Sequence, residues 1–370
     1  MIILIYVFWG CICSALIYML EHLKGSISLF PASDNLREEH TQPTLSDFVL
    51  VLISMIPFFL IGALRFDVGT DYETYLRLQI PYALHGYLDT VGFLYGEIVK
   101  FGVGLGSTQY VFVLTQLILI VAMAVAIYKL SSSYSTSVFL FMFSTFFSFS
   151  LNVMRQSIGT AVAMAAIYFL FHNKVVFALL SLVAVSLHGS VIVLIVLMFV
   201  ALKKLPLGFF ILISPIAYLV APISIHLAQL FPWILGRFSY YVSINYSLTL
   251  DRAIAGILFL TLGFCWASKR FGWIDDFDSL TTYLIRLTGW GLAVLLVLRQ
   301  VPNAARLAYL FLPIQIILVP RIISSIKDSS IRILSRFFIL AGYTIFFIVR
   351  ILILNYNETI PYQILRNWNF

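Results

Sequence analysis

Apolar stretches close to 20 residues long recur from one end of this chain to the other, and this recurrence limits what the chain can fold into. Of its 370 residues, 61% are hydrophobic and 11% are charged. A soluble domain carries about 25% charged residues, and apolar stretches of this length cross a bilayer as α-helices. The sequence therefore predicts an all-α polytopic integral membrane protein with about 11–12 transmembrane helices in one transmembrane domain, residues 1–370.

The first and sixth hydrophobic runs need interpretation. The first lacks a basic n-region and a small-residue cleavage site, which predicts a retained helix rather than a signal peptide. The sixth is long for one span, so it is either one tilted helix or two short helices with His188-Gly189 at the apex. The runs lie near 1–20, 47–64, 108–128, 136–151, 155–171, 175–202, 205–222, 252–268, 281–299, 306–320 and 333–354.

The basic residues predict an orientation, because cytoplasmic loops are enriched in lysine and arginine. If 175–202 is a hairpin, most basic loop residues share one face. If it is a single span, Lys203 and Lys204 fall opposite the other early lysines. The hairpin therefore gives the consistent map, with about twelve spans and both termini outside. On this map, residues 65–107 form an outer loop with interfacial helices, and residues 223–251 form a second outer loop.

A polar cluster follows the run 47–64, where the chain leaves the bilayer. It reads Arg65-Phe66-Asp67-Val68-Gly69-Thr70-Asp71-Tyr72, with Tyr75 three residues later. Burying unpaired charge near lipid is costly, which favours a functional site. The alternative is a solvated turn in which Gly69 adopts positive φ and Asp71 caps the next helix.

Further polar clusters interrupt the apolar runs. Asn152-Val153-Met154-Arg155-Gln156 joins two runs almost without a loop, and the small residues that follow predict that Arg155 faces protein or a cavity. His188 is either a satisfied structural histidine or a proton-transfer group. In the cluster 299–309, Arg306 and Tyr309 share one helix face.

Several arginines lie outside on this map, against the cytoplasmic preference. Arginines at membrane depth are expected where the ligand is a lipid phosphate or diphosphate, which the planar guanidinium binds through two hydrogen bonds. The alternative is that some of them snorkel or pair with Asp67, Asp71 or Asp251. The arginines at helix ends are Arg65, Arg155, Arg299 and Arg306, and Arg237 and Arg252 bound the loop 223–251.

Composition also excludes some functions. The net charge of +7 comes from basic residues in short loops rather than one patch, so no nucleic-acid partner is predicted. Cys11, Cys13 and Cys265 lie in apolar segments without metal-ligand spacing and are predicted to be small buried hydrophobes. No metal and no cofactor are expected.

In their order along the chain, these motifs resemble the EpsG-like branch of Wzy-type polysaccharide polymerases. The resemblance implies a GT-C-like glycosyltransferase of the bacterial inner membrane, with the outer loops and active site in the periplasm. It implies two partners, the bilayer and an undecaprenyl-diphosphate-linked oligosaccharide, and leaves open a chain-length regulator as a third. The matching motifs are Arg65…Gly69-Thr70-Asp71-Tyr72…Tyr75, Asn152…Arg155-Gln156, His188, Arg306…Tyr309 and Pro361-Tyr362.

The resemblance leads to a mechanistic hypothesis in which repeat units become O-antigen, capsule or exopolysaccharide. A hydroxyl of the acceptor repeat unit attacks the anomeric carbon of the donor glycan, and undecaprenyl diphosphate leaves. Asp71 or His188 is the general base. The groups expected to hold the diphosphate are Arg65, Arg155, Arg299 and Arg306. The groups expected to position the sugar or the loop are Asp67, Gly69, Thr70, Tyr72, Tyr75, Asn152, Gln156 and Tyr309.

Three other functions use the same residues differently. An O-antigen ligase shares the arginine and histidine chemistry but transfers polymer to lipid A core. A transporter or flippase for lipid-linked sugars predicts charged residues along a path to both faces, whereas here they concentrate on the outer side. A purely structural membrane subunit does not account for the ordered polar clusters.

Overall fold

A computed structural model describes residues 44–230, 251–301 and 305–364, together with residues 11, 12, 14, 15 and 17–19. This part of the chain is helical and contains no β-strand, apart from an isolated antiparallel bridge between Arg65 and Ile364. The all-α prediction is confirmed. Most of the predicted first span, and residues 231–250 of the predicted loop 223–251 with Arg237, lie outside the described residues.

Five of the described helices are long and apolar enough to cross a bilayer, and the number rises to seven if each of two bent helix pairs is one span. The described chain is therefore an all-α polytopic membrane protein. The total of about 11–12 spans stays a prediction. The five helices are Gln109–Leu130, Met154–His172, Arg252–Arg270, Ser279–Val297 and Ser329–Ile353; the bent pairs are Leu45–Ser54 with Ile56–Ala63 and Tyr134–Phe143 with Phe146–Asn152.

The helices group into two compact units, so the single domain over 1–370 also stays a prediction. The first unit contains the described residues up to Leu187 and those from Tyr343 onward. Its helices are α1 (Leu45–Ser54), α2 (Ile56–Ala63), α3 (Tyr72–Thr74), a π-helical turn (Tyr75–Gln79), α4 (Ile80–Leu84), α5 (Leu88–Val91), α6 (Phe93–Gly104), α7 (Gln109–Leu130), α8 (Tyr134–Phe143), α9 (Phe146–Asn152), α10 (Met154–His172) and α11 (Lys174–Leu187).

Helices α7 and α10 form the centre of the first unit. Helix α7 packs against α1, α2, α6 and α10, and α10 also packs against α11. The most apolar stretch of α10 is 72% buried, against 22% for Ser329–Ile353, because Ala161, Ala163 and Ala166 allow neighbouring helices to approach closely. Arg155, in the first turn of α10, therefore begins a span that protein surrounds.

The predicted interfacial region 65–107 is made of short helical pieces rather than one long helix. After the loop 65–71 come α3, the π-helical turn, α4, α5 and α6. Gly92 separates α5 from α6 with φ +84°, and a Cβ at Gly92 would lie 3.3 Å from the Ser186 carbonyl oxygen of α11. The C-terminal end of α11 therefore packs beside the interfacial helices.

The second unit comprises His188–Gly342 and is centred on α15, which packs against α12, α13, α14, α16 and α17. Gly289 and Gly291 leave room for two aromatic rings, since a Cβ there would meet Phe210 at 2.4 Å and Phe311 at 2.5 Å. The helices are α12 (Val191–Val200), α13 (Leu207–Leu230), α14 (Arg252–Arg270), α15 (Ser279–Val297), α16 (Ala305–Phe311), α17 (Ile314–Ser324) and α18 (Ser329–Phe347). The residues of α18 from Tyr343 onward and the π-helical segment that follows it (Ile348–Ile353) are counted in the first unit.

Two helix boundaries bear on the sequence predictions. Residues 188–190 interrupt the run 175–202, which excludes one continuous tilted helix and agrees with the two-helix alternative. The hairpin at His188-Gly189 stays a prediction. Helix α13 continues to Leu230 through Pro215 and Pro222, beyond the end expected near residue 222.

Candidate functional site

The loop 65–71 is attached to the junction between α9 and α10. Asn152, the last residue of α9, accepts two hydrogen bonds at its side-chain Oδ1. Thr70 donates one through Oγ1 at 2.6 Å, and the backbone N–H of Asp71 donates the other at 2.7 Å. The first two polar clusters of the sequence therefore form one structure, although 82 residues separate Thr70 from Asn152.

Gly69 allows this loop to approach the junction closely. Its φ is +97°, and a Cβ at this position would lie 3.0 Å from the Leu151 carbonyl oxygen. The turn prediction for Gly69 therefore agrees with the backbone. Asp71 precedes α3 as predicted, but its side chain makes no capping hydrogen bond.

The C-terminal segment 355–364 also pairs with the loop. The backbone N–H groups of Phe66, Gly69 and Thr70 donate to carbonyl oxygens of this segment. Asn152 Nδ2 donates to Asn357 Oδ1 over a long 3.5 Å, and the Tyr362 hydroxyl donates to the Ile61 carbonyl oxygen at 2.5 Å. Three distant parts of the chain thus meet at one end of the first unit.

Arg155 lies beside this junction and contacts the short helices α5 and α6. Its Nη1 donates to the Val91 carbonyl oxygen at 2.6 Å, and its Cζ lies 5.5 Å from the ring centroid of Tyr95. Its backbone N–H donates to the Tyr75 hydroxyl at 3.3 Å. The residue as a whole is half-buried and its Nε is buried, so these contacts give the side chain a defined orientation.

Arg65 occupies a different environment, with 1% of its surface exposed. Its Nη2 donates to Met154 Sδ at 3.4 Å, and its Cζ lies 5.0 Å from the ring centroid of Phe112. Gln109 Nε2 donates to the Arg65 carbonyl oxygen at 3.3 Å. In this arrangement Arg65 contacts the protein interior, and it anchors the start of the loop.

The two tyrosines of the first motif are also buried. Tyr72 stacks on Phe112 with ring centroids 5.0 Å apart, and burial raises the pKa of its hydroxyl. Tyr75 is 2% exposed and packs beside Tyr95 at 6.3 Å. Neither ring presents an open face for a sugar, which favours loop positioning over stacking for both residues.

Tyr95 was not singled out in the sequence, because nothing local distinguishes it from other aromatic residues of the interfacial helices. It is 0% exposed, and its hydroxyl has no hydrogen-bond partner among the described residues. Burial raises the pKa of this hydroxyl, which therefore stays protonated. Its ring supports the Arg155 guanidinium from one side.

Replacing Tyr95 with phenylalanine is expected to stabilise the protein by about 1 kcal/mol, because an unsatisfied buried polar group is removed and the ring remains. Thermal unfolding of the detergent-purified protein measures this effect. A lower unfolding temperature in the phenylalanine variant than in the wild type would contradict this expectation.

The remaining predicted residues are distributed as follows. Gln156 is buried in the first turn of α10, and Asp67 is exposed with φ +50°.

In the second unit, His188 Nδ1 lies 2.8 Å from Ser190 Oγ, and the Arg299 guanidinium lies 3.9 Å from the ring centroid of Tyr218. Arg306 is half-buried and Tyr309 is buried on α16, and Asp251 caps α14 by accepting from Ile254 N at 3.1 Å.

The sequence analysis also missed Arg350, and it gave no role to Asn357 in the polar tail. Arg350 is buried in the helical segment before the C-terminal tail, with its Cζ 3.9 Å from the ring centroid of Tyr356. The available signal was an arginine near the end of an apolar run. Within the described ranges, no group of three or more His, Cys, Asp or Glu side chains is arranged to hold a metal ion. Metal independence stays a prediction.

A bundle of apolar helices with polar residues gathered where several of them end defines a multi-pass membrane protein with a helix-end polar site. The EpsG family model matches residues 48–364, most of the chain, and this chain belongs to the EpsG family. Membership indicates a polymerase-type function in exopolysaccharide or O-antigen synthesis, in general terms that of a glycosyltransferase-like polymerase. No curated protein and no solved structure matches the chain significantly.

Proposed function

We propose that this protein polymerises undecaprenyl-diphosphate-linked oligosaccharide repeat units into O-antigen, capsule or exopolysaccharide at the periplasmic face of the bacterial inner membrane. The observation that carries the proposal is the environment of Arg155. Arg155 is a half-buried residue in the first turn of a buried span. Its Nη1 donates a hydrogen bond to the Val91 carbonyl oxygen at 2.6 Å, and this bond orients the guanidinium. A planar, oriented guanidinium at membrane depth suits an anion with two phosphate groups.

Arg155 has a catalytic role in this proposal because negative charge develops on the leaving diphosphate. The acceptor hydroxyl oxygen forms a bond to the donor's anomeric carbon, and the bond from that carbon to the diphosphate oxygen breaks. The hydroxyl proton passes to a base, and the bonding electrons leave with the diphosphate. A preoriented cation in a poorly hydrated site stabilises this developing negative charge better than water does.

The distribution of lysines supports a periplasmic site. Helix α7 begins near the site, where Gln109 contacts Arg65, and it has Lys129 in its last turn. Helix α10 likewise has Arg155 in its first turn and ends at His172, and Lys174 begins α11. The positive-inside rule assigns the lysine ends to the cytoplasm, which leaves the site on the outer face.

The proposal assigns roles to the other residues. Asp71, whose backbone is tied to Asn152, or His188 acts as the general base. The sequence-based assignments of Arg299 and Arg306 to the diphosphate, with Tyr309 beside Arg306 on α16, stay predictions. Arg65 anchors the loop instead of contacting the diphosphate, because it is buried under Phe112 and Met154.

Deleting the gene in its host tests the function directly. Complementation with the wild-type gene is expected to restore a ladder of surface polysaccharide on a gel, whereas the empty vector leaves single repeat units. Polymer that grows normally but is not transferred to lipid A core in the deletion strain would indicate a ligase. Loss of even single units from the surface would indicate a transporter, and either result would contradict the proposal.

Polymerisation is expected to proceed without a divalent cation, because arginines supply the positive charge that a metal often supplies in phosphate chemistry. Treating the purified protein with EDTA should leave chain elongation on a lipid-linked repeat unit unchanged. Activity that disappears with EDTA and returns with Mg²⁺ or Mn²⁺ would contradict this expectation.

A further inference from the structure

We propose that the C-terminal segment 355–364 is a positioning element of the polymerase site, which holds the loop 65–71 against Asn152 and thereby sets the position of Arg155. This inference rests on the proposed function. The segment contributes no predicted catalytic group, so its role is to hold other residues in place.

Backbone hydrogen bonds carry most of the attachment. Phe66 N donates to the Gln363 carbonyl oxygen at 2.9 Å, next to the antiparallel bridge between Arg65 and Ile364. Further along the loop, Gly69 N donates to the Glu358 carbonyl oxygen at 3.1 Å, and Thr70 N donates to the Asn357 carbonyl oxygen at 3.2 Å. The segment therefore contacts the loop at both of its ends.

The segment adopts a backbone that is unusual for its sequence. Asn355, Asn357 and Glu358 all have positive φ, at +44°, +88° and +49°. Positive φ is uncommon outside glycine, although asparagine tolerates it best. The Asn355 side chain closes this turn, because its Nδ2 donates to the Ile360 carbonyl oxygen at 2.6 Å and its Oδ1 accepts from Ile360 N at 3.2 Å. The turn directs the carbonyl oxygens of Asn357 and Glu358 toward the loop.

A continuous set of contacts leads from this segment to Arg155. The tail binds Gly69 and Thr70, and Thr70 and Asp71 bind Asn152. Asn152 lies three residues before Arg155, at the junction that begins α10. If the tail detaches, the loop loses one of its attachments, and Asn152, just before the start of α10, loses the support of a fixed loop.

Two truncations test the requirement for the segment. Ending the chain after Leu354 removes the whole tail and is expected to reduce polymer per molecule of membrane-inserted protein on the order of tenfold or more, the effect of losing two or more hydrogen bonds. Ending it after Ile364 keeps every contact described and is expected to leave polymer unchanged. Equal activity of both truncations would overturn the proposal.

A pair of substitutions at Asn357 separates backbone geometry from side-chain chemistry. Asn357→Gly accepts φ +88° without strain and is expected to keep near wild-type activity. Asn357→Ala is strained at this φ and is expected to lose activity. Because the tail acts through Arg155, Asn357→Ala should cause no further loss in an Arg155→Lys background. Fully additive losses would indicate a separate structural role and contradict the proposal.

A disulfide tests whether the tail stays attached during turnover. Phe66 and Gln363 are exposed and lie opposite each other, and opposed residues in an antiparallel pair have Cα atoms about 5.5 Å apart, within disulfide range. Phe66→Cys with Gln363→Cys, after replacement of the native cysteines by serine, should cross-link and remain active with or without reductant. Failure to cross-link, or activity only after reduction, would overturn the proposal.

These outcomes are separable from a failure of the proposed function. If the wild-type gene does not restore a polysaccharide ladder, the polymerase proposal fails. If it does, but the tail variants all match the wild type, only the positioning role fails. The single variants Phe66→Cys and Gln363→Cys control for effects of the substitutions themselves.

Discussion

Replacing Arg155 with lysine is expected to reduce polymer formation about 100-fold, the typical effect of removing one preoriented donor to a developing negative charge. Lysine keeps the positive charge but presents a compact ammonium group in place of a planar fork. In the wild type, Nη1 donates to the Val91 carbonyl oxygen and the guanidinium packs over Tyr95. Lysine cannot make this contact and a two-point contact with diphosphate together.

The measurement is chain elongation per molecule of purified protein with a defined polyprenyl-diphosphate-linked repeat unit. Arg77→Lys is the matched control, because Arg77 is also an arginine of the first unit but is exposed and pairs with Glu73 on the same helical segment. Exposed pairs of this kind contribute little, so this variant should behave like the wild type. Near wild-type elongation by Arg155→Lys would contradict the proposed contact between Arg155 and the diphosphate.

Replacing Gly69 with alanine is expected to detach the loop 65–71 from the α9–α10 junction and to reduce polymerisation about tenfold or more. Positive φ costs an alanine about 1–2 kcal/mol. In addition, the new Cβ would lie 3.0 Å from the Leu151 carbonyl oxygen and 3.3 Å from Asn152 Cα. Overpacking against backbone atoms adds about 1–3 kcal/mol, and each 1.4 kcal/mol corresponds to about a tenfold change.

A Gly106→Ala variant separates the cost of positive φ from the cost of overpacking. Gly106 has a similar φ, +107°, but a Cβ there would meet no atom within 4 Å. The Gly106→Ala variant should be destabilised only by the positive φ and should keep most of its activity. Activity is measured as the polysaccharide ladder normalised to membrane-inserted protein. If both alanine variants lose the same activity, backbone strain rather than contact with the junction explains the effect.

Several of the polar residues that interrupt apolar runs in the sequence meet in the structure. Gly69, Thr70, Asp71 and Asn152 were singled out because polar and flexible residues are unusual beside spans, and they form one hydrogen-bonded junction. Their individual roles were harder to predict. Whether an arginine at a helix end is buried or accessible depends on the neighbouring helices, and Arg65 and Arg155 share a sequence signal but differ in burial.

The contributions of Tyr95, Val91 and Asn357 could not be predicted from the sequence. Val91 acts through its backbone carbonyl oxygen, which every residue possesses, and Tyr95 is one of 20 tyrosines. Asn357 lies 205 residues from its partner Asn152, in a tail whose composition is that of an ordinary polar loop. Contacts of this kind leave no periodic or local pattern.

The sequence alone determined that this chain is an all-α membrane protein. Hydropathy and helix length are local properties of the sequence, and the thickness of the bilayer core sets the length of apolar helix that crosses it. It also determined the family, whose model matches residues 48–364. Only the tertiary structure decided that the loop 65–71, the α9–α10 junction and the C-terminal tail form one junction beside Arg155. That assembly depends on hydrogen bonds between residues 64 to 301 positions apart, which only the packing of the helices brings within reach.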